Sequence, residues 1–141
     1  MKSFLINCDG ASRGNPGQAA AGIVIQTSDG VMWVQDGIFL GRLTNNEAEY
    51  QAVQKALERL LADFKKDLPA QVEVRVDSLL IASQLSGRFK VKNEKLRVYY
   101  TQIKGMEKVL GEVKYTYTPR EQNSLADKLA NIALDRQSLA K

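Results

Sequence analysis

The order of the apolar segments constrains this chain more than any other feature: three strand-like runs follow one another, and only then do strand-like and helix-like segments alternate. Residues 3–8 form an apolar run closed by a turn-rich stretch at 9–17, and residues 20–26 and 32–40 read as two further strands around the Asp29-Gly30 hairpin signal. Three strands so close in sequence pair as an antiparallel meander. Thr44-Asn-Asn-Glu47 then matches a capping box and opens a helical pattern to about residue 64, with Pro69 ending the connection. Residues 72–76 read as a strand, 78–86 as a short helix stopped by Gly87, 94–110 as a longer helix, 112–118 as a strand and 123–137 as a final helix. Strands separated by helices predict a mixed sheet, partly antiparallel and partly parallel, with helices on its faces.

A chain of 141 residues suits one compact domain, so residues 1–141 are read as a single unit. No apolar run approaches the ~20 residues of a membrane span, and the first strand leads into Asp9-Gly10 without a secretory pattern, so a cytoplasmic protein without membrane contact is expected. Histidine is absent and Cys8 is the one cysteine, which excludes imidazole acid/base chemistry, Cys/His zinc sites and disulfides. The net charge of +4 permits a polyanionic partner without requiring one. Carboxylates must carry the chemistry.

Four acids fall at the edges of the predicted elements: Asp9, Glu49, Asp77 and Asp127. Magnesium is a hard ion bound by carboxylate oxygens, water and phosphate, so converging acids of this kind suit a divalent-metal site. Glu49 shares a helical stripe with Val53, Ala56 and Leu60, which places it toward the sheet, where it needs either a metal or a buried Arg or Lys. Glu47 falls on the expected solvent side and is explained by the capping box alone. Asp9 and Asp77 each end an apolar run and are either metal ligands beyond the strand ends or, respectively, a turn and a helix-cap residue. Asp127 points away from the apolar stripe expected of its helix, Leu125, Leu129, Ile132 and Ala133; it is either a first-turn acid or the open side of the site.

Taken with their neighbours, these segments resemble the type 1 ribonuclease H family over essentially the whole chain. The resemblance rests on Asp9-Gly-Ala-Ser-Arg-Gly-Asn-Pro-Gly17, Thr44-Asn-Asn-Glu-Ala-Glu49, Val76-Asp77-Ser78 and Asn123-Ser-Leu-Ala-Asp127-Lys-Leu-Ala-Asn131, in the family's order and spacing. It implies an α/β ribonuclease H-like fold, a five-stranded mixed sheet of three antiparallel strands then two parallel ones, flanked by helices. It also implies an endonuclease that cuts the RNA strand of RNA–DNA hybrids, leaving 5′-phosphate and 3′-hydroxyl ends. Asp9, Glu49, Asp77 and Asp127 would hold two Mg²⁺ ions, with Mn²⁺ as a substitute. The family pattern makes Asp9 the shared ligand, assigns Glu49 and Asp77 to the leaving-group metal, and gives Asp127 to the water-activating one.

The resemblance further assigns Asn15, Asn45 and Asn46 to the 2′-hydroxyl side of the hybrid, which suits an amide because it both donates and accepts. Arg42, Thr44 and Asn93 match a pocket for a phosphate of the DNA strand. Phe89, within the basic stretch Arg88-Phe-Lys-Val-Lys92, is either a deoxyribose-stacking residue or a core anchor. The interval from Ser86 to Asn93 is too short for the extra helix and basic protrusion of some relatives. The loop before the last helix lacks the histidine often found there, leaving Arg120 or Glu121 to assume part of its role. Leu79 replaces a polar contact, and no additional N-terminal hybrid-binding domain is expected. A monomer acting on hybrids is the leading expectation; a related nuclease acting also on double-stranded RNA, or a catalytically silent hybrid-binding module, are the alternatives.

Overall fold

In the computed structural model, which describes residues 2–139, the elements follow the expected order. Strands β1 (Ser3–Gly14), β2 (Gly17–Thr27) and β3 (Met32–Leu43) form the antiparallel meander. Helix α1 (Asn45–Asp63) leads to β4 (Ala70–Val76), and α2 (Leu79–Leu85) and α3 (Glu94–Leu110) lead to β5 (Gly111–Tyr117). Helix α4 (Ser124–Leu139) closes the described chain. The sheet order is β3-β2-β1-β4-β5, with β4 parallel to both β1 and β5.

The main core lies between α1 and one face of the sheet. Phe4, Ile6 and Cys8 of β1, Ile23 and Ile25 of β2, and Val72 and Val74 of β4 meet Val53, Ala56, Leu57 and Leu60 of α1. This stripe is the one the 3.6-residue period predicts. On the opposite face, α4 covers β2 through a smaller cluster of Ala20, Ala130 and Leu134.

Three local expectations are corrected. Residues 9–17 are not a long turn: β1 continues to Gly14, and the chain reverses between Gly14, at φ 117°, and Gly17. Gly10 serves close approach instead, because a Cβ there would lie 2.2 Å from the backbone carbonyl of Ala48 in α1. Second, the buried stripe of α4 is Ala126, Ala130 and Leu134 rather than Leu125, Leu129, Ile132 and Ala133. The helix is drawn in at Gly22, where a Cβ would sit 1.7 Å from the Ala126 carbonyl oxygen. Small residues thus set the contact, and hydropathy misjudged the helix's rotation. Asp127 is consequently half-buried, beside the stripe instead of pointing away from it. Third, Glu47 is buried rather than solvent-facing. Its carboxylate folds back to accept from the Thr44 amide at 2.9 Å, while Thr44 Oγ1 accepts from the Glu47 amide at 3.2 Å, completing the expected capping box.

Candidate active site

The parallel ladder between β1 and β4 ends at the Asn7–Arg75 pair, and just beyond it lie Asp9, still within β1, and Asp77, the first residue after β4. Asp9 is therefore within a strand, not at its end; it lies past the end of the parallel pairing, which is where sites form in α/β sheets. The close packing at Gly10 brings α1 over them, and the Gly10 amide donates to Glu49 Oε1 at 2.9 Å. One carboxylate oxygen from each of Asp9, Glu49 and Asp77 lies within 4.8 Å of the others.

Asp9 is 4% exposed and Glu49 8%. Buried acids in a structural role have a cationic partner, yet among the described residues no Lys or Arg forms an ion pair with Asp9 or Glu49. The salt-bridge alternative for Glu49 is thereby removed. Asp77 has only a long contact of 3.8 Å to the exposed guanidinium of Arg120. Glu49 Oε2 and Asp77 Oδ2 are buried without a hydrogen-bond partner.

The protonation energetics follow from this crowding. Burial, and then the charge of Glu49, push the Asp9 carboxyl up to about 10. Burial raises Glu49 to about 7, with the charge of Asp77 adding to the rise and the Gly10 amide opposing it. Asp77 is raised by burial and partly relieved by Arg120. Three acids that resist ionising together, with unused oxygens facing one another, fit a divalent cation, whose charge would replace the retained protons.

Asp127 lies next to this trio without joining it. It is within side-chain hydrogen-bonding reach of Asp9, and its charge raises Asp77, but it is outside the group whose oxygens meet within 4.8 Å. Asn123 holds the start of α4 in place. It is 1% exposed, and its Nδ2 donates to the Cys8 carbonyl at 2.9 Å, one residue from Asp9. Sequence reasoning missed this role because an amide before a helix reads as an ordinary helix start.

Beside the acids, Asn15, Thr44, Asn45, Asn46 and Asn93 line one cavity of about 760 Å³. Arg42 and Thr44 line a neighbouring cavity of about 610 Å³, and Lys95 borders both. The amides combine structural and open roles: Asn15 Oδ1 accepts from the Asn45 amide at 3.0 Å, and Asn93 Oδ1 caps α3 by accepting from the Leu96 amide at 3.1 Å. Neither bond uses an NH₂ group. Phe89 lies apart, 53% exposed, in a separate cavity with Arg97 and Tyr100. Its exposure contradicts the core-anchor alternative.

A five-stranded mixed sheet of this order, with carboxylates gathered beyond its central parallel strands and a groove of amides alongside, defines a ribonuclease H-like protein with an acidic cluster able to hold a metal ion. Residues 7–133 match the reverse transcriptase-like family. A ribonuclease HI of Halobacterium salinarum is 42% identical over 127 residues, 90% of this chain and 62% of its own. A ribonuclease H1 from a compost metagenome, solved in complex with an RNA/DNA hybrid, superposes with a TM-score of 0.91 at 37% identity, over 95% of this chain and 98% of its own. A bifunctional protein of Mycobacterium tuberculosis is 38% identical over 132 residues, and the chain spans only 35% of that relative's length. The chain belongs to the type 1 ribonuclease H family.

Proposed function

We propose that this protein is a divalent-metal-dependent endoribonuclease that hydrolyses the RNA strand of RNA–DNA hybrids. The observation that carries the proposal is the trio Asp9, Glu49 and Asp77: two buried carboxylates and one partly buried, within 4.8 Å of one another, two with orphaned oxygens, beside an amide-lined groove. Held by Asp9, Glu49, Asp77 and Asp127, two Mg²⁺ ions, or Mn²⁺ in their place, would supply activation of the attacking water and stabilisation of the leaving 3′ oxygen. The division of the acids into a trio and a flanking Asp127 supports giving Asp127 a share in the water side and Asp9 a place common to both.

The chain's own residues do the rest. Asn15, Asn45 and Asn46 present amide groups that recognise 2′-hydroxyls, which both donate and accept. Arg42, Thr44 and Asn93 hold a phosphate of the DNA strand and so set the register of the RNA strand over the acids. Phe89 stacks on a deoxyribose at a position separate from the amide groove. Arg120, whose guanidinium reaches Asp77, stands in the loop where many relatives carry histidine. In-line hydrolysis leaves 5′-phosphate and 3′-hydroxyl ends. The same reading makes the protein a cytoplasmic monomer.

Purified protein with Mg²⁺ or Mn²⁺ is incubated with end-labelled hybrid, RNA duplex and DNA duplex. Cleavage of the hybrid's RNA strand alone is expected, with products that a 5′-phosphate-dependent exonuclease degrades. Cleavage after thorough chelation would refute metal dependence. Equal cutting of the RNA duplex would favour the broader nuclease, and tight hybrid binding without cutting would favour a silent binding module.

A further inference from the structure

On the side of Asp127 away from the trio, a chain of polar contacts reaches a distant part of the fold. Asn131, one turn further along α4, donates from Nδ2 to Asp127 Oδ1 at 3.3 Å and to the Asp127 carbonyl at 3.0 Å. Arg13, in β1 just before the hairpin, donates from Nη2 to Asn131 Oδ1 at 3.2 Å and to Asp135 Oδ1 at 2.7 Å. A guanidinium only donates and a carboxylate only accepts, so an amide placed between them has one satisfactory orientation, with its oxygen toward Arg13 and its NH₂ toward Asp127. Arg13 therefore fixes the orientation of Asn131. Asn131 in turn holds one oxygen of Asp127 and leaves the second for the acid cluster.

A purely stabilising role accounts poorly for this arrangement. The side chains of Arg13 and Asp135 are 46% and 64% exposed, and exposed ion pairs contribute little to stability. Asp127 is moreover the acid that stands outside the trio, so the close grouping of the other three does not fix its carboxylate.

We propose that Arg13 and Asn131 are positioning residues that act through Asp127, fixing its carboxylate relative to Asp9, Glu49 and Asp77. The inference rests on the reading of Asp127 as a metal-holding acid. Outer partners that orient a metal-holding carboxylate commonly change metal affinity or activity by ten- to a hundredfold when removed, so about a tenfold effect is expected here.

The test uses the full chain with Arg13→Ala, Asn131→Ala and Asn131→Asp, each alone and combined with Asp127→Asn. Three quantities are measured: Mn²⁺ affinity by calorimetry without nucleic acid, kcat and KM on hybrid, and melting temperature in EDTA. Arg13→Ala and Asn131→Ala should each weaken Mn²⁺ binding or lower kcat about tenfold, with KM and the EDTA melting temperature little changed. Asn131→Asp, equal in size but facing Asp127 with a like charge, should do at least as much harm. In the Asp127→Asn background none of the three should add further loss. Equal losses in both backgrounds would overturn the inference, as would a rise in KM alone for Arg13→Ala, which would make Arg13 a substrate contact. A lowered melting temperature with unchanged kcat and Mn²⁺ affinity would also overturn it. A wild-type protein that cut no hybrid would defeat the proposed function, whereas the Mn²⁺ titrations would still decide the positioning role.

Discussion

Replacing Asp9 with Asn should make the metal-free protein more stable while abolishing cleavage. Asp9, Glu49 and Asp77 present oxygens within 4.8 Å of one another, and two unit charges at that separation repel by about 3.5 kcal/mol at an effective dielectric of about 20. The folded protein relieves this by retaining protons, which has its own cost. Glu49, moved from 4.5 to about 7, loses about 3 kcal/mol relative to the unfolded chain at neutral pH. Both routes give the same order of magnitude. An amide at position 9 removes one member of the repelling set, but its NH₂ fits the acids around it less well than the carboxyl proton does, by about 1 kcal/mol. A net gain of about 2 kcal/mol is expected at pH 8, raising the melting temperature by about 7 °C for a chain of this size. The pH dependence has a definite sign. Below about pH 4 the acids are protonated in both folded and unfolded states and contribute no difference. Above it the unfolded chain releases protons that the folded site retains, so wild-type stability falls as pH rises through about 7 for Glu49 and toward about 10 for Asp9. Urea unfolding in EDTA at pH 4 and pH 8 spans the Glu49 part of this window and enters that of Asp9. Added Mg²⁺ should stabilise the wild type and narrow the gap, and hybrid binding should survive in the variant. A variant less stable than wild type at pH 8, or a gap of equal size at both pH values, would refute the reasoning and make Asp9 a structurally bonded acid.

Glu47→Gln should leave cleavage nearly intact and cost less than about 1 kcal/mol, because the amide oxygen still accepts from Thr44, whereas Glu49→Gln should abolish cleavage; equal losses in a cleavage assay would contradict the separation of the two glutamates. Gly22→Ala should lower stability by more than about 2 kcal/mol and depress kcat, since its Cβ would fall 1.7 Å from the Ala126 carbonyl and push α4 and Asp127 outward; denaturant unfolding with steady-state kinetics checks both. Phe89→Ala should raise KM for hybrid at unchanged kcat and stability, because a ring 53% exposed packs little and lies apart from the acids; a large loss of stability in urea would return it to the core.

The order of elements, the capping box at Thr44 and the inward phase of Glu49 were legible in the sequence, and all three rest on neighbours within about one or two helical turns. Glycines were misleading. The Asp9-Gly10 pair looked like a turn, yet Gly10 lies inside β1 and is glycine because Ala48 of α1 packs against it. Nothing local distinguishes those two uses. The rotation of α4 was also hidden, because Gly22 lies more than a hundred residues from Ala126, and its missing Cβ decides the contact.

By itself the sequence determined which chemistry was available: no imidazole, four acids suited to a shared site, and an alternation of segments compatible with one mixed sheet. Those properties follow from residue type and short-range periodicity. Tertiary structure decided that Asp9, Glu49 and Asp77 meet with no ion pair to Asp9 or Glu49 among the described residues, that Asp127 stands beside them, and that Arg13 reaches Asn131 from 118 positions away. Such relations depend on where backbones can approach one another, which the glycines at 10 and 22 permit and hydropathy does not encode.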